Sequence, residues 1–239
     1  MAAPQPARIG FVSNRTYQGA HYGQLLALVP PDVTVEIAPL GQEGRSSYDR
    51  AGTADEHVIR TSAAARAHGW QAVVCTGAPM QMSNPGFLEQ LREALDIPAT
   101  TAVEASGTAL RALGVRRTLL LTPFRRSMND LIGEYLASLG VEALVRQEDF
   151  DDVDEGSRMT PDEVYDQAVG AFRAAPGAEA IYFQGAVMDP IPVLDRLETD
   201  LGVPVVASNP AMLWRSLSLL GRRYSLEGGG RLLREWPAE

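Results

Sequence analysis

The stretch QAVVCTGAPM (Gln71–Met80) decides the fold. Its short apolar run of strand-forming residues, closed at once by Thr-Gly-Ala-Pro, reads as a buried strand ending in a turn. EAIYFQGAVM (Glu179–Met188) repeats that order about 107 residues later. The neighbours repeat as well. RIGFVSN (Arg8–Asn14) is answered by RRTLLLTPF (Arg116–Phe124), and DIPATTAVEASGTALRALG (Asp96–Gly114) by GVPVVASNPAMLWRSLSLLG (Gly202–Gly221). VTVEIAPL (Val33–Leu40) adds a strand, and residues 55–68 and 84–95 have helical length and composition. Strands alternating with helices imply an α/β fold of two pseudo-symmetric halves, each a mainly parallel sheet flanked by helices. The first half spans 1–115. The second spans 116–221, with a helix packing back on the first, and 222–239 is a C-terminal tail. The run EGGGR in that tail precedes no helix of useful length, so it reads as flexible rather than as a phosphate loop.

Composition narrows the function classes. The 239 residues are 45% hydrophobic, enough to bury a substantial core, and the formal net charge is -9. That charge argues against nucleic-acid or membrane partners. A single cysteine excludes an intramolecular disulfide framework and a cysteine-rich zinc site. There is no apolar run of spanning length and no signal-peptide order at the N-terminus, so the expected location is cytoplasmic. Assembly into a homo-oligomer stays open.

In open parallel sheets, ligands sit beyond the carboxyl ends of the strands. Two such halves facing each other would gather Asn14, Cys75-Thr76-Gly77, Thr122, Gln184-Gly185-Ala186 and Ser208-Asn209 around one interdomain cleft. Ser106 and Asn209 are candidate helix caps. Cys75 reads either as an acid/base or nucleophile at the mouth of that cleft, or as a small hydrophobe closing a strand. His21 lies in YQGAHYGQ, a loop placed to cover the cleft, and is an alternative acid/base. His57 and His68, eleven residues apart, read as surface positions and suggest no metal site. The acidic run EDFDDVDEG (Glu148–Gly156) lacks the ligand order of a calcium loop and reads as a linker. Thr160, Pro161 and Glu163 together predict a capped helix start. Asp189, after the second strand-end loop, reads as a turn residue or as a substitute carboxylate base.

GTALRALGVRRTLLLTPF (Gly107–Phe124), LGVPVVASNPAMLWRSLSLLG (Leu201–Gly221), the opening IGFVSN and the tetrapeptide SSYD together resemble the aspartate/glutamate racemase superfamily. Within it, the likeness is to the arylmalonate decarboxylase and maleate cis-trans isomerase branch. The resemblance implies a cofactor-independent isomerase, racemase or decarboxylase acting on a small mono- or dicarboxylic acid through an enediolate-like or thiol-adduct intermediate. It implies that Asn14 holds a carboxylate and that Tyr48 lines the pocket. Thr76, Gly77, Thr122, Phe124, Gln184, Gly185, Ala186, Ser208 and Asn209 complete the expected substrate-binding set. Gly185 stands where the second-half cysteine of the family belongs, and Phe124 where related enzymes often carry a tyrosine. Cys75 is then the expected catalytic residue, with His21 and Asp189 as alternatives. Pairing the two halves, however, sets Gly77 against Gly185 and Cys75 against Phe183. A same-fold enzyme with a non-cysteine acid/base, running a different lyase or hydrolytic reaction, is a second reading. A non-catalytic carboxylate-binding protein is the third.

Overall fold

The computed structural model describes residues 6–16, 19–41, 50–145, 153–185 and 187–239. The first half runs β1 (Ala7–Ser13), α1 (Gly23–Ala27), β2 (Val33–Pro39), α2 (Ala54–His68), β3 (Ala72–Cys75), α3 (Ala78–Met82), α4 (Phe87–Ala94), β4 (Ala99–Thr101) and α5 (Ala102–Ala112). The second runs β5 (Arg117–Leu121), α6 (Arg126–Ser138), β6 (Glu142–Val145), α7 (Pro161–Arg173), β7 (Ala180–Phe183), α8 (Leu194–Leu201), β8 (Val205–Ala207) and α9 (Ser208–Leu219). α10 (Gly230–Glu235) follows.

Each half holds one parallel four-stranded sheet, ordered β2-β1-β3-β4 and β6-β5-β7-β8. The registers match as well as the orders. Val12 and Thr101 flank Cys75 in the first sheet, and Leu121 and Ala207 flank Phe183 in the second. The halves are therefore equivalent strand for strand, with Cys75 and Phe183 as counterparts. The physical origin is visible in the sequence: short, nearly continuous apolar strands need cover on both faces, which only parallel βαβ units supply.

α5 and α9 pack on each other between the sheets, and α9 also touches β3 and β4 of the first half. The central core joins inward-facing residues of both sheets, such as Phe11, Val74, Leu120 and Tyr182, to Leu110, Leu213 and Trp214 of these helices. Two outer cores lie behind the sheets. One packs α2 and α4 on Val12, Val73 and Cys75; the other packs α7 and α8 on Leu119, Leu121 and Phe183.

Three local expectations need revision. Ser106 is no cap: it lies inside α5, its hydroxyl donating to the Ala102 carbonyl, and Thr101 caps the helix through the Glu104 N–H. Asn209 lies within the first turn of α9, whose flanking residue is Ala207. The tail is packed rather than loose, because Leu232, Leu233 and Trp236 are buried in the central core and the indole donates to the Ser218 hydroxyl at 3.1 Å. At Thr160 the full capping box is present. The first part of the acidic run, through residue 152, lies outside the described residues; residues 153–158 form a short 3-10 helix. Among the described residues, no group of three acidic, histidine or cysteine side chains is placed to hold a metal ion. No helix among them is long and apolar enough to cross a membrane.

Candidate active site

The carboxyl ends of β1, β3, β5 and β7 converge on one cleft of about 480 Å³ between the halves. Gly77 lines it from the first half and Gly185 from the second. Both have positive φ, 84° and 112°, the region that glycine reaches without strain. A Cβ at Gly77 would meet nothing nearer than 3.9 Å. A Cβ at Gly185 would lie 2.6 Å from the Pro123 ring, so a cysteine there requires the wall of the cleft to move.

The two walls differ in chemistry. The first half contributes the polar residues Ser13, Asn14, Arg15, His21, Tyr22 and Thr76, with Gly77 and Pro79 beside them. The second contributes Pro123, Phe124, Gly185 and Val187, with no polar side chain among them. The polar wall is held rigidly. The Ser13 and Arg15 carbonyls accept the Leu40 and Gly41 N–H groups at 2.9 and 2.8 Å, and buried Arg50 donates to the Asn14 carbonyl at 2.9 Å. The Asn14 side chain is buried, and its Nδ2 has no hydrogen-bond partner among the described residues. A carboxylate oxygen in the cleft would satisfy that donor, and Arg15 adds positive charge beside it. Burial pushes the Tyr22 hydroxyl above its usual range, so it stays protonated.

The other expected residues lie around the cleft rather than in its wall. Thr122 is buried behind Pro123 and Phe124, accepting the Phe124 N–H at 3.0 Å and pairing with Asn129. Gln184 is buried behind Gly185, where the Tyr182 hydroxyl donates to its Oε1. Ser208 and Asn209 are buried at the start of α9, and the Asn209 amide reaches the His21 carbonyl at 3.5 Å. Tyr48 and Ala186 lie outside the described residues. Asp189 lines a second, larger cavity of about 1110 Å³ that shares Arg15, His21 and Val187 with the cleft. Its Oδ1 accepts the Ile191 N–H at 3.2 Å, and partial burial pushes its carboxyl up to about 6.

Cys75 is not among the residues lining the cleft. It is the last residue of β3, and strand alternation turns its side chain with Val73 to the outer face, against α2 and α4. It is 1% exposed, and burial alone pushes the thiol up to about 12. Its polar neighbour is His57, 3.8 Å from the sulfur.

The surface assignment of His57 is overturned: it is 5% exposed and packs against Phe87. His68 does sit on the surface, half-exposed and paired with Glu36. Burial, then the Arg50 and Arg60 charges, lower the His57 imidazole from 6.5 to about 4. The unfolded chain therefore takes up this proton first. Stability is full above pH 6.5 and falls as the pH drops toward 4, by up to roughly 3 kcal/mol. Urea melts at pH 7 and pH 4.5 should show this loss, and His57→Leu should shrink it.

Ser13, Arg15 and Tyr22 were not expected from sequence. They enter the cleft because β1 leads straight into the loop before α1.

A model of the arylmalonate decarboxylase family matches residues 40–233. An arylmalonate decarboxylase of Bordetella bronchiseptica is 34% identical over 157 residues, an alignment spanning 64% of this chain and 64% of that protein. A liganded arylmalonate decarboxylase structure, a double mutant with one glycine changed to cysteine and one cysteine to serine, superimposes with a TM-score of 0.83. It is 26% identical and the match covers 96% of this chain and 99% of that one. The maleate isomerase of Pseudomonas putida S16 shares the fold, with a TM-score of 0.80 at 19% identity, over 96% of this chain and 99% of that one. With a family match running through most of both halves, the chain belongs to the arylmalonate decarboxylase family.

Proposed function

We propose that this protein is a cofactor-independent carboxy-lyase or isomerase of a small dicarboxylic acid, and that it decarboxylates a substituted malonate in the interdomain cleft. The observation that carries the reading is the contrast between the walls: donors and positive charge on one side, Pro123, Phe124 and Val187 on the other. A malonate bridging them keeps one carboxylate on Asn14, Arg15 and Thr76. Its second carboxylate faces apolar side chains, where the charge loses solvation and its departure as carbon dioxide is favoured. The breaking C–C bond leaves its electron pair on the α-carbon, delocalised into the retained carboxylate as an enediolate. The donors of the first wall stabilise that growing charge.

The α-carbon then needs a proton. With Gly77 and Gly185 at the two equivalent loops, no thiol enters from either. We assign the proton to His21, which lines both the cleft and the outer cavity and so is recharged from solvent. Cys75, buried on the far face of β3, is a packing residue in this scheme. The test is a panel of α-aryl and α-alkyl malonates with maleate, followed by NMR in D₂O. Decarboxylation with one deuterium at the α-carbon is the expected result. Conversion of maleate alone would make the protein an isomerase, and inertness toward every member would remove the proposal.

A further inference from the structure

We infer that Tyr22 and Thr76 form a hydroxyl relay that donates one hydrogen bond into the cleft, with Tyr22 as the positioning residue that aims it. The Tyr22 hydroxyl donates to the Thr76 hydroxyl at 2.9 Å. Both residues line the cleft, and both are buried, Tyr22 to 3% exposure. Two hydroxyls joined by one bond carry two protons and use only one to link them. With Tyr22 as the donor, the Thr76 proton is left over. Among the described residues, the Thr76 hydroxyl makes no hydrogen bond other than the one from Tyr22.

The backbone sharpens the point. The Thr76 N–H is bound to the Val12 carbonyl at 2.8 Å, so it has no hydrogen to offer a ligand. The hydroxyl is what this position has to give. Each hydroxyl that donates also becomes a better acceptor, so a row ending on an anion is strengthened along its length. The relay thus suits a carboxylate or enediolate oxygen, and this inference rests on the carboxylate reading above.

Calorimetric titration with malonate tests it. Tyr22→Phe keeps the ring and its packing, and should weaken malonate binding by roughly 5- to 30-fold. Thr76→Val should do the same. The double variant should lose little more than the worse single one, because a broken relay cannot be broken twice. Thr76→Ser, which keeps the hydroxyl, should bind within about threefold of the wild type. Unchanged affinity in Tyr22→Phe, or fully additive losses, would overturn the relay while leaving the carboxylate site intact. A wild-type protein that does not bind malonate would overturn the carboxylate reading, and the relay with it.

Discussion

Replacing His21 with glutamine is expected to lower turnover of the accepted malonate by about 10²- to 10⁴-fold, with KM changing far less. The residue is half-buried in the loop between β1 and α1, its ring 4.4 Å from that of Tyr22 and its carbonyl tied to Asn209 of the opposite half. Those contacts place the imidazole without using it to hold the carboxylate. The loss therefore falls on protonation of the α-carbon, after the C–C bond has broken, and binding is largely spared. Single-turnover measurement with enzyme in excess, beside titration with malonate, separates the two, since the rate of the chemical step should drop while the affinity for malonate persists. A variant with normal kcat and raised KM would make His21 a binding residue. Asp189, across the shared outer cavity, would then be the next acid to replace.

Trp236→Ala should produce the largest loss of stability, about 3–5 kcal/mol. The side chain is 1% exposed near the chain end, in a core that also contains Leu213, Trp214 and Leu217 of α9. Removing it opens a cavity beside the helix that packs on both sheets, and strands the Ser218 hydroxyl that its indole contacts. For a chain of this size that corresponds to a melting temperature lower by on the order of 10 °C. Calorimetry on the full-length variant measures it directly. A shift within a degree or two would mean that residues 222–239 are the loose tail that their glycines suggested.

What the sequence made legible follows from which signals are local. The strand-turn patterns at Gln71–Met80 and Glu179–Met188 contain their own ends, so the repeat, both sheets and the facing glycines could be read directly. The direction of Cys75 was harder. It depends on whether β3 stops at 75 or continues to 77, and those two residues share a strand face only if it continues. The strand stops at Cys75, and Gly77 turns the chain into the cleft. The burial of His57 has a readable signal in the sequence. Ala54, His57, Val58, Thr61, Ser62 and Ala65 form a buried stripe with steps of three and four; His68 continues the spacing but is the last residue of the helix, where the side chain is exposed. The C-terminal helix is too short for periodicity to speak, and its anchors are two leucines and the tryptophan that follows it. The hydroxyls of Tyr22 and Thr76 come from separate elements. Only the pairing of β1 with β3 brings them together, and no spacing along the chain encodes it.

Cys75→Ala, which removes the sole sulfhydryl of the chain, tests most directly whether the site works without a thiol. Its rate of decarboxylation, followed by NMR in D₂O on the same malonate as the wild type, is the decisive quantity. The side chain lost is small and lies on the outer face of β3, so the folded cleft should persist. We predict a rate within about threefold of wild type, with deuterium still delivered to the α-carbon. A fall of roughly two orders of magnitude or more in a folded variant would return the proton to Cys75 and contradict the account.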